Sequence, residues 1–430
     1  MSSGYKKFLL LWGASLISAS GSGMSSFALG IFMYQKTGLS TMPGLMILAG
    51  FLPGLIFSPF AGALADRHDR RFLMMMGDGL SIIGLLCTLF SLQFLQGELL
   101  VGGILLGAAI SSGFSSLVEP AFRATISDLL KKDEYTRASG MVQLIPASRY
   151  LLSPVLSGLV LSFAGIRPVL MLDILTILIT LPITYIVRRE MRGIPKGEGT
   201  KLSEDLSLGF HIIYDKKGLW LLVMLGILVS FCLGTIQTLM IPMLLPFGGE
   251  SFAGFATTVS ACGMLVGGLI LSRFSIKKDF SHILQASLLG MGFFMAAFAW
   301  GNNKILICGF GFCLFMSLPF ANAAMDYLVR VNVPATHQGK AWGLISLISQ
   351  AGYVLAYALT GVAVDFIIKP FLQKEGNALK YALNIPGRGE GRGAALMVII
   401  AAAFLMIIAL TIPHKSEIRE LEEGNVLEVA

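Results

Sequence analysis

The chain has 430 residues, of which 55% are hydrophobic and 13% charged, with a net charge of +7 and a mean hydropathy of +0.77. Soluble domains carry about 25% charged residues, so this composition excludes a water-soluble globular protein and makes lipid the main solvent. The basic residues fall in short clusters between apolar runs, which is a topology signal and not a nucleic-acid surface.

A span needs roughly 20 apolar residues. Read in order, the chain offers twelve such runs, at 8–34, 44–65, 72–95, 99–122, 138–164, 168–187, 219–246, 252–272, 281–300, 304–328, 341–368 and 394–412. The first follows Lys6 and Lys7 as a secretory signal would, but it continues to Tyr34, too long for a signal core; it reads as an uncleaved first span. With the N-terminus placed inside, the inner connections carry 23 Lys and Arg and the outer ones 8. The positive-inside rule then puts both termini in the cytoplasm of a cell-membrane protein.

The longest inner connection, 188–218, divides the spans six and six, and its stretch 202–215 has the pattern of a short amphipathic surface helix. This gives an N-terminal bundle at 1–187, a linker at 188–218, a C-terminal bundle at 219–413 and a cytoplasmic tail at 414–430 that reads as solvated helix or disorder. The fold class is therefore all-α, with twelve transmembrane helices in two six-helix halves. The halves repeat weakly. Placing Gly140 on Gly343 brings Tyr150 onto Tyr353, Leu156 onto Leu359 and Gly158 onto Gly361.

The most informative connection runs from Gly62 to Arg71, Gly-Ala-Leu-Ala-Asp-Arg-His-Asp-Arg-Arg, between the second and third runs. So much charge cannot lie in hydrocarbon, so this is a tight turn at a membrane face. A weaker copy begins at Gly268, with Ser272 in place of Asp66, then Arg273, Lys277 and Lys278.

Taken together, the two halves and this turn resemble the major facilitator superfamily. Gly62, Asp66, Arg67, Arg70 and Arg71 match its signature between spans 2 and 3, and His68-Asp69 departs from it at the place where Gly is commoner. Gly50-Phe51-Leu52-Pro53 and the run Asp-Arg-His-Asp-Arg at 66–70 are similar to the macrolide-efflux branch. The resemblance implies alternating access. It also implies that Asp66 closes a cytoplasmic latch at the positive end of a helix. Plain positive-inside anchoring also accounts for Arg70 and Arg71, which can bind acidic side chains or membrane lipids. Asp78, near the start of span 3, is expected to partner this arginine cluster. In family antiporters span 5 carries a Gly-Pro pair. The matching stretch here is Ser153-Pro154 through Gly158, so the signature is partial, and Pro146 with Pro154 predicts a bent helix.

Arg149 lies about 17 Å into span 5, near the midplane, where a charge is costly and usually functional. It serves either a cavity or coupling role or a structural ion pair. Glu119 on span 4 and Asp173 on span 6 are its nearest acids in sequence, one towards each membrane face, and neither clearly reaches it. Glu119, Asp173 and, third, Asp326 on span 10 are the candidates for a proton site. Asp326 falls opposite Arg123 in the repeat, so half of an inner-mouth charge pair is its alternative role. Asp365 is expected to be interfacial.

In the resembled fold, spans 1, 4, 7 and 10 line a central cavity. Here they supply Ser22, Met24, Ser26 and Phe27, then Ser112 and Ser116, then Gln237, then Asn322. Small residues serve helix packing equally well. An apolar cavity with few fixed charges suits a small hydrophobic substrate, with protons as the coupling ion. The five cysteines lie inside apolar runs without CxxC spacing and the histidines are scattered, so no metal, no cofactor and no enzymatic activity are expected. No nucleic-acid partner is expected, and the protein is expected to be a monomer. Export of a siderophore or lipid-like metabolite, import, and a transport-inactive membrane sensor are the alternative readings.

Overall fold

The computed structural model describes residues 3–130, 134–189, 214, 216–273, 279–333, 338–373, 391–412 and 416–422. Among these there is helix and connection but no strand. A chain in lipid must satisfy its backbone groups within each segment, and helices do this. The expected surface helix at 202–215, the basic residues Lys277 and Lys278, most of the outer loop 369–393 and the end of the tail lie outside the described residues, Tyr214 excepted.

Ten described helices are long and apolar enough to cross a membrane, and the apolar stretch Thr41–Phe57 is shorter. The chain divides into two compact units. The first is Met1–Gly38 with Leu45–Thr200, and the second is Leu39–Gly44 with Lys201–Ala430.

The first unit holds α1 (Ser3–Thr37), most of α2 (Thr41–Arg67), α3 (Arg70–Phe94), α4 (Gly97–Ser115), α5 (Val118–Leu129), α6 (Tyr135–Leu151), α7 (Ser153–Ala164) and α8 (Ile166–Arg189). Helix α1 packs against α6, α7 and α8, and α3 packs against α4, α5 and α8. Close approach of α3 to α4 depends on a glycine pair. A Cβ on Gly84 would lie 2.3 Å from Gly107 O, and one on Gly107 would lie 2.6 Å from Gly84 O. At one end, Tyr5, Phe8 and Leu11 of α1 meet Leu73 and Met74 of α3, Phe122 of α5 and Val187 of α8 in a tight apolar cluster. That cluster anchors the helix ends that carry the charged turn.

Span 5 is interrupted at Leu152. Pro154 has no N–H to give to the preceding turn, so α7 starts afresh with the proline in its first turn. Helix α6, by contrast, continues without interruption through Pro146. Ser153 Oγ donates to Ser20 O at 2.9 Å, and one turn on Ser157 Oγ donates to Met24 O at 2.8 Å. The serine in place of the family's glycine thus fastens α7 to α1 by a hydrogen bond, and Gly158 beside it is buried.

The second unit holds α9 (Lys217–Arg273), α10 (Phe280–Trp300), α11 (Lys304–Asn332), α12 (Gln338–Ala363), a π turn (Val364–Ile368), α13 (Lys369–Gln373), α14 (Gly391–Thr411) and α15 (Ser416–Glu420). Helix α9 breaks at Gly248–Gly249, between the expected runs 219–246 and 252–272. Gly249 has φ +66°, a backbone that only glycine adopts without strain. Helix α14 starts at Gly391, three residues before the expected run.

The described tail corrects the expectation of a solvated segment. Ile418 and Leu421 are buried, Asn332 Nδ2 donates to Leu421 O at 2.7 Å, and Glu422 Oε1 accepts from Ser281 N at 2.6 Å at the start of α10.

Candidate functional site

Three constellations carry chemistry, two in the first unit and one in the second. The first is the charged turn between α2 and α3. Asp69 is the N-cap of α3: its Oδ1 accepts from Arg71 N at 3.1 Å and Phe72 N at 3.4 Å, filling two of the helix's open donors. Its Oδ2 accepts from Arg188 Nε at 2.6 Å, and the Arg188 guanidinium also lies 4.9 Å from the centroid of the Phe72 ring. Burial works to raise the Asp69 carboxyl, but the Arg188 hydrogen bond and the two backbone N–H groups outweigh it and hold it below the ordinary carboxylate value. The residue that departs from the commoner glycine therefore ties the turn to the end of α8.

Arg70 and Arg71 share one carboxylate. Arg70 Nη1 reaches Asp128 Oδ1 at 2.6 Å and Arg71 Nη2 reaches Asp128 Oδ2 at 2.7 Å, with Arg70 also donating to Ala124 O at 3.0 Å. The expected partner Asp78 is not the one used. It lies seven residues beyond Arg71, about 10 Å further along α3, out of reach of a guanidinium on the same helix. Sequence reasoning missed Asp128, though an acid at the end of span 4 was the available counter-charge at the right depth. Gly62, Asp66 and Arg67 belong to α2, but nothing of their side chains is described, so the latch expected at Asp66 falls outside the described residues.

The second constellation lies deeper. Asp78 is buried and accepts from Ser18 at 3.4 Å and Thr180 at 3.5 Å. Asp173 is 2% exposed; Ser25 stands beside it without closing a well-formed bond, so Asp173 Oδ1 and Ser25 Oγ both stay unpaired. Arg149 acts electrostatically on both carboxylates, and Asp78 acts on Asp173. This corrects the expectation that Asp173 sits too far out to meet Arg149. Arg149 is fourteen residues, about 21 Å, into α6, and Asp173 is seven residues, about 10 Å, into α8 from the other face. Across a core about 30 Å thick those two depths coincide. One cation therefore faces two carboxylates, and protonation of one of them makes the cluster neutral.

Glu119 does not join. Its side chain is 71% exposed and pairs with Arg123 at 2.9 Å, one turn away on α5. Glu119 is thus an exposed acid paired on its own helix, and the buried carboxylates of this unit are Asp78 and Asp173.

The third constellation is a cavity of about 480 Å³ within the second unit, walled by α9, α11 and α12. Leu222, Val223, Leu233, Leu318 and Ile345 make it apolar, Trp342 and Tyr353 add aromatic surface, and Ser230, Asn322 and Ser349 add sparse polar groups. Asp326 is at its wall but is already paired with Arg330 at 2.6 Å on the same helix. Of the other residues expected to line a cavity, Gln237 accepts from Tyr357 Oη, and Met24 is packed away. Ser112 Oγ donates to Gly50 O at 2.5 Å. Ser22 and Ser116 donate to carbonyls of their own helices. Ser26 is exposed and Phe27 half-buried. Among the described residues, no group of three or more His, Cys, Asp or Glu side chains could hold a metal ion.

Long apolar helices, charge placed inside the hydrocarbon and an apolar internal cavity define a multi-span membrane transporter. The chain belongs to the Major Facilitator Superfamily, whose family model matches residues 11–357. It is 24% identical to Macrolide efflux protein A of Streptococcus pyogenes over 97% of each chain. It is also 24% identical to Multidrug resistance protein 2 of Bacillus subtilis, covering 77% of this chain and 82% of that one. The fold matches a crystal structure of a bacterial homologue of the human lysosomal transporter Spinster, inward-facing and occupied, with a TM-score of 0.72 at 15% identity over 100% of both chains.

Proposed function

We propose that this protein exports small hydrophobic molecules across the cell membrane by proton antiport, with two six-span halves working by alternating access around a central cavity. Both termini lie in the cytoplasm, residues 188–218 link the halves, and the working unit is a monomer. The observation that carries the coupling is the Asp78–Arg149–Asp173 cluster. One fixed cation among two carboxylates can hold or release a single proton while the net charge changes by one, and an antiporter needs such a group inside the membrane. The 480 Å³ cavity supports the cargo class: its walls are apolar and aromatic, and its one carboxylate is already neutralised on its own helix. The efflux proteins among its relatives support the direction.

The test is flux in proteoliposomes of the purified protein, with an imposed pH gradient and a panel of macrolides and hydrophobic cations. Cargo movement should follow the gradient and reverse with it. Flux that ignores the gradient overturns the antiport.

A further inference from the structure

Asp365 takes no part in this coupling, yet its carboxylate accepts four hydrogen bonds. It stands in the π turn that follows α12, an element in which one extra residue re-aims a side chain. Its side chain is 2% exposed. Oδ1 accepts from Ser40 N at 3.0 Å and Lys369 Nζ at 2.7 Å; Oδ2 accepts from Thr41 N at 2.8 Å and Thr41 Oγ1 at 2.6 Å. Asp365, expected near an outer interface, is a buried acceptor of four hydrogen bonds.

The bonds fall on the start of α2. A helix leaves its first N–H groups open, and a Ser before the first turn commonly fills one of them. Here Ser40 Oγ has no partner, and the cap is supplied from a carboxylate more than 300 positions away.

The rest of the fit is backbone on backbone. A Cβ on Gly361 would lie 2.4 Å from Thr41 Cα, and one on Gly44 would lie 2.5 Å from Tyr357 O. Positions 357, 361 and 365 are one turn apart, so carbonyl, bare backbone and carboxylate form a continuous seat. The hexapeptide Leu39–Gly44 groups with the second unit, although α1 before it and the rest of α2 after it group with the first. Gly38, with φ +69°, stands where the chain enters the seat.

We propose that Asp365 and Gly361 form a releasable clasp for the α1–α2 connection. Residues 39–41 are held in it while the protein is closed to the outside and leave it when the protein opens outward. The proposal rests on the orientation and alternating access proposed above. Release is chemically simple, because the N–H groups of Ser40 and Thr41 exchange the carboxylate for water. Lys369, one turn beyond Asp365, keeps that acid paired in the open state.

Ser40→Cys reports on the clasp. Ser40 is 0% exposed, and its hydroxyl is unpaired, so the exchange sacrifices no hydrogen bond. The full chain carrying Ser40→Cys is treated with a membrane-impermeant maleimide, in intact cells and in inverted vesicles. The chain without that change measures the background of the five native cysteines. Labelling should be slow. Adding Asp365→Asn should speed it about tenfold, as expected for loss of hydrogen bonds to a charged acceptor. Adding Thr41→Val instead should speed it by a smaller factor, about threefold, because one neutral donor is lost.

Unchanged labelling in both variants, each monodisperse by size-exclusion chromatography, overturns the clasp. If Asp365→Asn does not fold, Thr41→Val decides alone. Faster labelling seen only in inverted vesicles supports a clasp but overturns its outward placement and the proposed orientation. Faster labelling of intact cells by a protein without gradient-driven flux supports the clasp and removes the antiport, so the two fail separately.

Discussion

Two acids of the second unit and two of the first stand in different surroundings, although the first unit also holds a one-turn pair in Glu119 and Arg123. In the second unit Asp326 pairs with Arg330 and Asp365 with Lys369, each one turn along the same stretch of chain. In the first unit Asp78, Arg149 and Asp173 come from three helices, α3, α6 and α8. A pair within one helix moves as a body and keeps its charge balance whatever its neighbours do. A cluster spread over three helices changes its distances, and therefore its proton affinity, whenever one of them slides or tilts. Conformation and protonation can be linked in the second arrangement and not in the first. Asp173 is 2% exposed, whereas the Asp326 side chain is 43% exposed; Asp365, also paired one turn along, is buried.

The largest expected effect breaks this contrast directly. Asp173→Asn removes the acid whose Oδ1 has no bond to lose, so the fold should persist, while gradient-driven flux falls on the order of 100-fold, the upper range of a site-to-site coupling. Asp326→Asn removes an exposed one-turn pair worth a few tenths of a kcal/mol and should change flux by no more than about twofold. Equal losses in the two variants, measured in proteoliposomes at matched protein content, would erase the distinction between the units. Arg149→Lys keeps the charge and should retain more flux than Arg149→Ala; a merely structural ion pair would show the same order in expression and none in coupling.

The contrast was half legible in the sequence. Apolar runs and charged connections fixed the helical class, and the turn at 62–71 carried the family, because hydropathy and glycine-charge spacing are local properties. The acid partners were not legible, because pairing between helices depends on depth and rotation. Nearness in sequence points Asp78 to the arginine cluster at 67–71, yet on a helix the seven residues from Arg71 are about 10 Å of height. Counting depth from both faces would have brought Asp173 to Arg149. Asp365 was hidden for another reason. Its partners are backbone N–H groups at Ser40 and Thr41, and no side-chain pattern announces those.

A second, smaller effect sharpens the role of the other unit. Ser349 is a small wall residue of the cavity, and Ser349→Phe narrows it without touching a charge. Apparent affinity for bulky cargo should fall about tenfold, the scale of a modest change in pocket shape, while small hydrophobic cations are less affected. Competition assays across cargo of graded size read this. A uniform loss across all sizes would point away from the cavity as the binding surface.

Smaller again is the fastening of α7 to α1. Ser157→Ala deletes the bond to Met24 O while keeping the buried volume close to native, and should cost about 1 kcal/mol. Thermal unfolding in detergent reads the loss. Gradient-driven flux should be unchanged, since Arg149 precedes the break at Leu152 and is carried by α6, not α7.

The smallest effect belongs to Asp69 and appears only in acid. Its carboxyl is held below the ordinary value of 3.8 by Arg188 and the N-terminal N–H groups of α3, against the opposing pull of burial. The ionised form is therefore bound more strongly in the folded chain than in the unfolded one. That stabilisation is complete above pH 3.8 and is lost as pH falls through the lower folded value. Asp69→Asn never has it. The melting-temperature gap between native protein and Asp69→Asn should stay constant from neutral pH down to about pH 5 and close below 3.8. A gap that closed at higher pH would mean that Arg188 does not hold Asp69. The turn and the end of α8 would then be mechanically separate, with Arg70, Arg71 and Asp128 still bracing the charged turn.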